Sequence, residues 1–144
     1  MSSLVVRVFR LNGAILAVGD ELVEDLGLTS ARWQVLGAIS QGDASVSQIA
    51  RRMGLSRQGV QQIANRLHAD DLVETRDNPD HARAKLYTLS QKGAQVIDRV
   101  NQRQSCWANE TADKLGLRRL KQAEKLLAEA IVLLENQDAS EFIR

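Results

Sequence analysis

The sequence predicts a mainly α-helical chain carrying one small β-hairpin, and three observations lead there. Apolar residues recur near helical spacing at Leu4, Val8, Leu11, Ile15, Leu22 and Leu26, and again at Leu120, Ala123, Leu127, Ala130, Ile131 and Leu134. Between these stretches, Val73 and Thr75 alternate with Glu74 and Arg76, and Tyr87 and Leu89 alternate with Leu86 and Thr88, so two short strands flank a polar loop. Aromatic residues supply only 3% of a chain that is 44% hydrophobic. Its interior must therefore be built mostly from Leu, Val, Ile and Ala, which suits packed helices better than a large sheet. The predicted architecture is a winged helix-turn-helix at residues 29–89, flanked by N- and C-terminal dimerisation helices at residues 1–28 and 90–144.

Residues 4–26 read LVVRVFRLNGAILAVGDELVEDL. Val5, Phe9, Leu16 and Val23 widen the apolar stripe beyond what one neighbouring helix would cover, which predicts burial against a second subunit. Gly27 is a C-cap by type, and Thr29 can cap the next helix. There Trp33, Leu36 and Ile39 point inward until Gly42 and Asp43 interrupt the pattern.

The next helix opens with Ser45 as N-cap and Gln48 three residues on, a capping box that satisfies two orphan amide donors before Ile49, Ala50 and Met53 supply an apolar face. Gly54 ends it, because glycine accepts the left-handed backbone that closes a helix; Leu55 can fold back over that end. Ser56 then caps a second helix, so close that the two must cross steeply. Val60, Ile63, Ala64 and Leu67 form its buried stripe. At 100° per residue, Gln58, Gln62 and Asn65 fall on the opposite face, with Gln61 and Arg66 on the flanks and Arg57 at the start.

The loop between the strands holds the chain's only proline, Pro79, followed by His81, Arg83 and Lys85. Proline restricts Asn78 and the loop, so these basic residues are ordered at lower entropic cost. After the second strand, Ser90 starts a long helix containing Val96, Ile97, Val100, Trp107, Thr111 and Leu115, and Gly116 stops it. A last helix runs from about Arg118 to Glu135, its apolar face widened by Leu126 and Leu133. A compact winged helix needs no long N-terminal helix and no terminal helix pair. A helical dimer interface explains their apolar faces most simply, and a monomer with an internal helical core is the alternative.

The amides and arginines on the outer face of the second helix suit base reading, since Gln and Asn can make paired hydrogen bonds to adenine and Arg to guanine in the major groove. A solvated helix face is the plainer alternative. Cations on the wing suit phosphate or minor-groove contacts. The net charge of +1 carries no nucleic-acid signal, but residues 45–92 hold eight Arg and Lys against five Asp and Glu, whereas residues 1–44 hold three against five. The segment expected to meet DNA is the basic one.

Taken together, Leu26-Gly27-Leu28-Thr29 with Trp33, Val35 and Leu36, then Ser47-Gln48-Ile49-Ala50, Gly54-Leu55-Ser56, Leu72-Val73, the wing with Arg83, and Leu89-Ser90-Gln91-Lys92-Gly93 resemble the multiple-antibiotic-resistance regulator (MarR) family. One departure is that many members carry an aspartate two residues before the wing arginine, where this chain has His81. The resemblance implies a homodimeric transcriptional regulator whose recognition helices enter successive major grooves of a roughly palindromic double-stranded site. It further implies a repressor that a small aromatic or anionic molecule releases from DNA. The expected DNA contacts are Ser56, Arg57, Gln58, Gln61, Gln62, Asn65, Arg66, His81, Arg83 and Lys85; Phe9, Trp33 and Trp107 are the candidate effector contacts, with Trp33 alternatively plain core.

Other classes find little support in the residues. Nothing resembles a nucleophile elbow, a phosphate-cradling glycine loop or a metal-binding helix, so no enzyme, metal or cofactor is expected. His68 and His81 have ordinary solvent or phosphate readings. No charged start precedes an apolar signal core and no run of 18 apolar residues occurs, so a cytoplasmic protein without a membrane partner is expected. Two further functions stay open. One is a winged helix that binds protein and has lost DNA affinity, which predicts apolar residues where Gln58, Gln62 and Asn65 stand. The other is an oxidation sensor through Cys106, which needs an accessible, acidic thiol; beside Trp107, Cys106 reads instead as a small buried residue.

Overall fold

The computed structural model of the protein describes residues 2–79, 81 and 84–137. Its helices are α1 (Ser2–Val23), α2 (Ser30–Ser40), α3 (Val46–Met53), α4 (Arg57–Ala69), α5 (Gln91–Leu115) and α6 (Leu117–Glu135), and its strands are β1 (Val73–Arg76) and β2 (Leu86–Leu89). A 3₁₀ turn at Glu24–Leu26 follows α1 and closes on Gly27, whose φ of 67° puts it in the left-handed region. The chain forms two compact units, Met1–Gln104 and Ser105–Arg144.

Local signals set the helix ends. Thr29 accepts a hydrogen bond from the Arg32 N–H, Ser45 and Gln48 form a complete capping box, and Ser56 accepts from the Gly59 N–H. Gly54 closes α3 at φ 63°, with the Leu55 N–H reaching back to the Ala50 carbonyl at 3.0 Å. Leu55 itself is exposed. Ser90 Oγ accepts from the Gly93 N–H at 2.9 Å at the start of α5.

In the first unit one core joins the helix-turn-helix to both flanking helices. Val23 of α1, Val35, Leu36 and Ile39 of α2, Ile49 of α3, Val60, Ala64 and Leu67 of α4, and Ile97 and Val100 of α5 are all buried in it. The strands pair antiparallel with Val73 opposite Leu89 and Thr75 opposite Tyr87. Tyr87 also exchanges backbone hydrogen bonds with Ala44, its N–H donating to the Ala44 carbonyl at 2.9 Å and its carbonyl accepting at 3.2 Å. The strand is thus held from both edges, ahead of α3 and beside β1.

Polar side chains fasten α1 to its neighbours. Asp20 accepts from the Ser30 N–H at 2.6 Å and from the Ser30 hydroxyl at 2.8 Å, where α1 crosses α2 at Gly19. These two bonds, the backbone one foremost, hold the Asp20 carboxyl below its ordinary range. Arg103 donates to the Leu22 carbonyl at 2.8 Å and forks onto both oxygens of Asp25. Its hydrogen bond likewise lowers the Asp25 carboxyl.

The second unit contrasts with this. Among its described residues none is buried, and on α6 Leu126, Leu127, Ile131, Val132, Leu133 and Leu134 are exposed. On α1 the exposed residues include Leu4, Val8, Phe9, Leu11 and Ile15. The helix Ser2–Leu26 is also long and apolar enough to cross a membrane by length and composition, at a mean hydropathy of 1.3 over its 18-residue window. Counting uninterrupted apolar runs missed this, because an average tolerates isolated charges.

Cys106 corrects an expectation: it is exposed, not a small buried residue. The buried positions of α5, Gly93, Ile97 and Val100, all lie in the first unit, whereas Cys106 lies in the second, where no described residue is buried.

Candidate nucleic-acid interface

Three elements assemble the surface formed by the helix-turn-helix and the wing. The stripe Val60, Ala64 and Leu67 is buried and Ile63 half-buried, so α4 is seated with its opposite face outward. On that side Arg57, Gln58, Gln61, Gln62, Asn65 and Arg66 are all exposed, and exposed Ser56 caps the helix start. The sequence-derived phase of this helix is therefore the structural one.

Two open clefts lie beside α3. One, of about 510 Å³, lies where the N-terminal ends of α3 and α4 meet β2, and its lining includes Ser47, Arg57, Gln58, Gln61, Lys85 and Tyr87. The other, of about 640 Å³, lies between α3 and the wing and is lined in part by Gln48, Arg51, Asn78, Pro79 and His81. Residues of α4 and of the wing thus share the first cleft, although Arg57 and Lys85 are far apart in sequence.

Ion pairs shape the wing. Lys85 Nζ pairs with Asp77 across the loop, lowering the Asp77 carboxyl chiefly through that hydrogen bond, and both side chains are well exposed. Lys85 is consequently a braced cation. Arg76 pairs with Asp43, tying the end of β1 to the loop before α3. His81 is exposed, with its N–H donating to the Asn78 carbonyl at 3.3 Å. Arg83 lies outside the described residues.

Several contacts were not expected from the sequence. Gln61 Nε2 donates to Asn65 Oδ1 at 2.8 Å and to the Tyr87 hydroxyl at 2.9 Å, so a residue read as a simple flank of α4 is fastened to the wing. Tyr87 is 6% exposed. A clue did exist, since a lone tyrosine in the inward phase of a strand needs a partner for its hydroxyl. His68, expected to face solvent or phosphate, is exposed and has a further contact. Its Nδ1 lies 2.9 Å from the Val73 carbonyl, so the ring closes the α4–β1 connection, with Nδ1 the donor nitrogen. Arg32 donates to the Gly27 carbonyl at 2.8 Å and pairs with Asp70 at the end of α4. No local pattern announces that pairing.

The candidate effector residues do not converge within one chain's first unit. Trp33 is half-buried against the core, its ring beside Gly19. Phe9 is 70% exposed, ten residues earlier on α1 and so about 15 Å away along the helix. Trp107 belongs to the second unit. Among the described residues there is no group of three or more His, Cys, Asp or Glu that could hold a metal ion.

A profile of the MarR family matches residues 26–84. An uncharacterized protein of Mycobacterium tuberculosis is 36% identical over 135 residues, spanning 94% of each chain. The transcriptional activatory protein BadR of Rhodopseudomonas palustris is 30% identical over 94 residues, 62% of this chain and 54% of that protein. Among solved structures, a MarR mutant from E. coli complexed with operator DNA is similar in fold, with a TM-score of 0.81 at 20% identity over 89% of this chain and 93% of that one.

Proposed function

We propose that the chain, whose residues 26–84 match a profile of the MarR family, is a DNA-binding transcription regulator of that family that works in the cytoplasm as a homodimer reading a roughly palindromic DNA site. Residues 29–89 would bind DNA, while residues 1–28 and 90–144 would join the subunits. The observation that carries the proposal is the outward face of α4, where Arg57, Gln58, Gln62 and Asn65 stand exposed above a buried apolar stripe. A protein-binding winged helix would present apolar groups there. A similar fold occurs in a MarR mutant complexed with operator DNA, and helix-turn-helix proteins lay the second helix of the motif in the major groove. Release from DNA by a small aromatic or anionic molecule rests on the family resemblance.

Selection of bound fragments from a random DNA pool tests the proposal. An inverted repeat is the expected result, with half-sites about one helical turn apart. A pool that yields no enriched sequence would overturn it. Within an enriched site, Gln62→Ala should relax the preference at one position per half-site, costing about 1–3 kcal/mol if the contact is bidentate. Unchanged affinity and unchanged base preference for alanine variants at both Gln58 and Gln62 would remove α4 from base reading.

The wing has its own test. Arg83 corresponds to the family's wing arginine and is proposed to meet phosphate, a contact without base identity. Arg83→Ala should then weaken all sequences alike and lower the slope of log affinity against log salt by about one unit. A minor-groove insertion would instead make the loss depend on A·T-rich flanks. Parallel salt plots for wild type and variant would count against the phosphate contact.

A further inference from the structure

Tyr87 is the chain's only tyrosine, and its position is fixed before any DNA arrives. Its backbone is held between Thr75 on β1 and Ala44 ahead of α3, and its ring is buried. The hydroxyl therefore meets α4 at a set point, where the amide of Gln61 supplies the partner that a buried phenol needs. Gln61 and Asn65 are four residues apart on α4 and so lie on one side of it.

Gln61 Nε2 carries two protons, and the structure commits one to Asn65 Oδ1 and the other to Tyr87. This leaves Gln61 with Oε1 as an acceptor and Asn65 with Nδ2 as a donor. Paired recognition of adenine by one amide needs a donor and an acceptor from that same side chain. Gln61 as held here has no donor left for it. An acceptor from Gln61 beside a donor from Asn65 suits a base-pair edge on which the amino group of one base and the carbonyl of its neighbour are read by two different residues.

We propose that Tyr87 is a positioning residue for sequence recognition, locking Gln61 and Asn65 into one donor–acceptor unit that reads base edges in place of two independent adenine contacts. This rests on the reading of α4 as the recognition helix. Tyr87 touches no base in this scheme. It acts through Gln61 from beneath the helix, and it ties the wing strand to base preference without adding a contact to DNA.

The test combines two measurements on the full-length protein. Tyr87→Phe keeps the buried ring and removes only the hydroxyl, which frees one Gln61 proton. In selection from a random DNA pool it should shift the preference at one position per half-site toward adenine, by about fivefold, as befits the gain or loss of one hydrogen bond. In the DNA-free protein, the Gln61 side-chain amide protons should exchange slowly with solvent in wild type and faster in the variant. Gln61→Met, made from the exposed side of α4, removes both bonds without touching the core and should move the neighbouring Asn65 position toward adenine. It serves if the phenylalanine variant folds poorly.

An identical selected motif in both variants would overturn the proposal, and so would a uniform loss of affinity with no change in motif, which marks a purely structural tyrosine. Unprotected Gln61 amide protons in wild type would overturn the linkage itself. A wild type that enriches no sequence would fail at the earlier step, DNA reading by α4, and the exchange measurement would distinguish that failure from loss of the Tyr87–Gln61 bond.

Discussion

Gly93→Ala should destabilise the first unit by about 3 kcal/mol or more, the upper end of what overpacking costs. A Cβ at this position would stand 1.9 Å from the Leu72 carbonyl oxygen and 2.9 Å from its carbon. No flexible side chain is available to yield. Leu72 is pinned on both sides, its N–H donating to Leu67 at 2.9 Å and its carbonyl accepting from Ser90 at 3.1 Å. Relief would require α5 to move off the α4–β1 connection, breaking the cap at Ser90. Against a typical domain stability of about 5–15 kcal/mol, such a loss should lower the urea midpoint clearly while leaving the denaturant slope unchanged. Gly37→Ala is the control: nothing lies within 4 Å of its added Cβ, and inside α2 the exchange should gain about 0.5–1 kcal/mol. Equal midpoints for Gly93→Ala and wild type would show that the Leu72 backbone can give way.

If the subunits join through the terminal helices as proposed, Leu127→Arg should leave monomers with weak affinity for single half-sites. In one chain Leu127 is 42% exposed and Ile131 54%, at helical spacing on a helix with no buried residue. Leu126, Val132, Leu133 and Leu134 on the same helix are exposed too, more apolar surface than a monomer ordinarily leaves in water. A two-fold partner that covers this surface places each substitution in the interface twice. An unpaired buried charge costs about 3–5 kcal/mol at each place, enough to dissociate the pair at micromolar concentration. Because the side chain is solvent-facing in the single chain, the monomer should still fold and melt cooperatively. Sedimentation equilibrium of both proteins, followed by titration onto the selected DNA, measures the two consequences. A wild type that sediments as a monomer at micromolar concentration would remove the basis for this expectation.

The chain's own order determined every feature whose cause lies within a few residues. Thr29, Ser45 with Gln48, and Ser56 cap helices by bonding amides three residues ahead, so their roles are visible in the spacing alone. The hairpin and the outward phase of Gln58, Gln62 and Asn65 follow from periods of two and 3.6 residues, which neighbouring residues reveal. The excess apolar surface of the terminal helices was legible for the same reason.

Contacts between distant parts of the chain were decided only by tertiary structure. Gln61 meets Tyr87 across 26 residues, Arg32 meets Asp70 across 38, and Arg103 meets Asp25 across 78. Nothing in local periodicity chooses one such partner over another. The sequence marked Gly93 as part of a family pattern but not its reason, because the obstacle is the backbone of Leu72, which has no sequence signature. Cys106 shows the reverse limit: apolar neighbours suggested burial, yet it belongs to a unit in which no described residue is buried. Local order specifies helices, turns and faces because those interactions span a turn or a strand pair. The partner of each face depends on how the helices pack, a choice made by the folded chain as a whole.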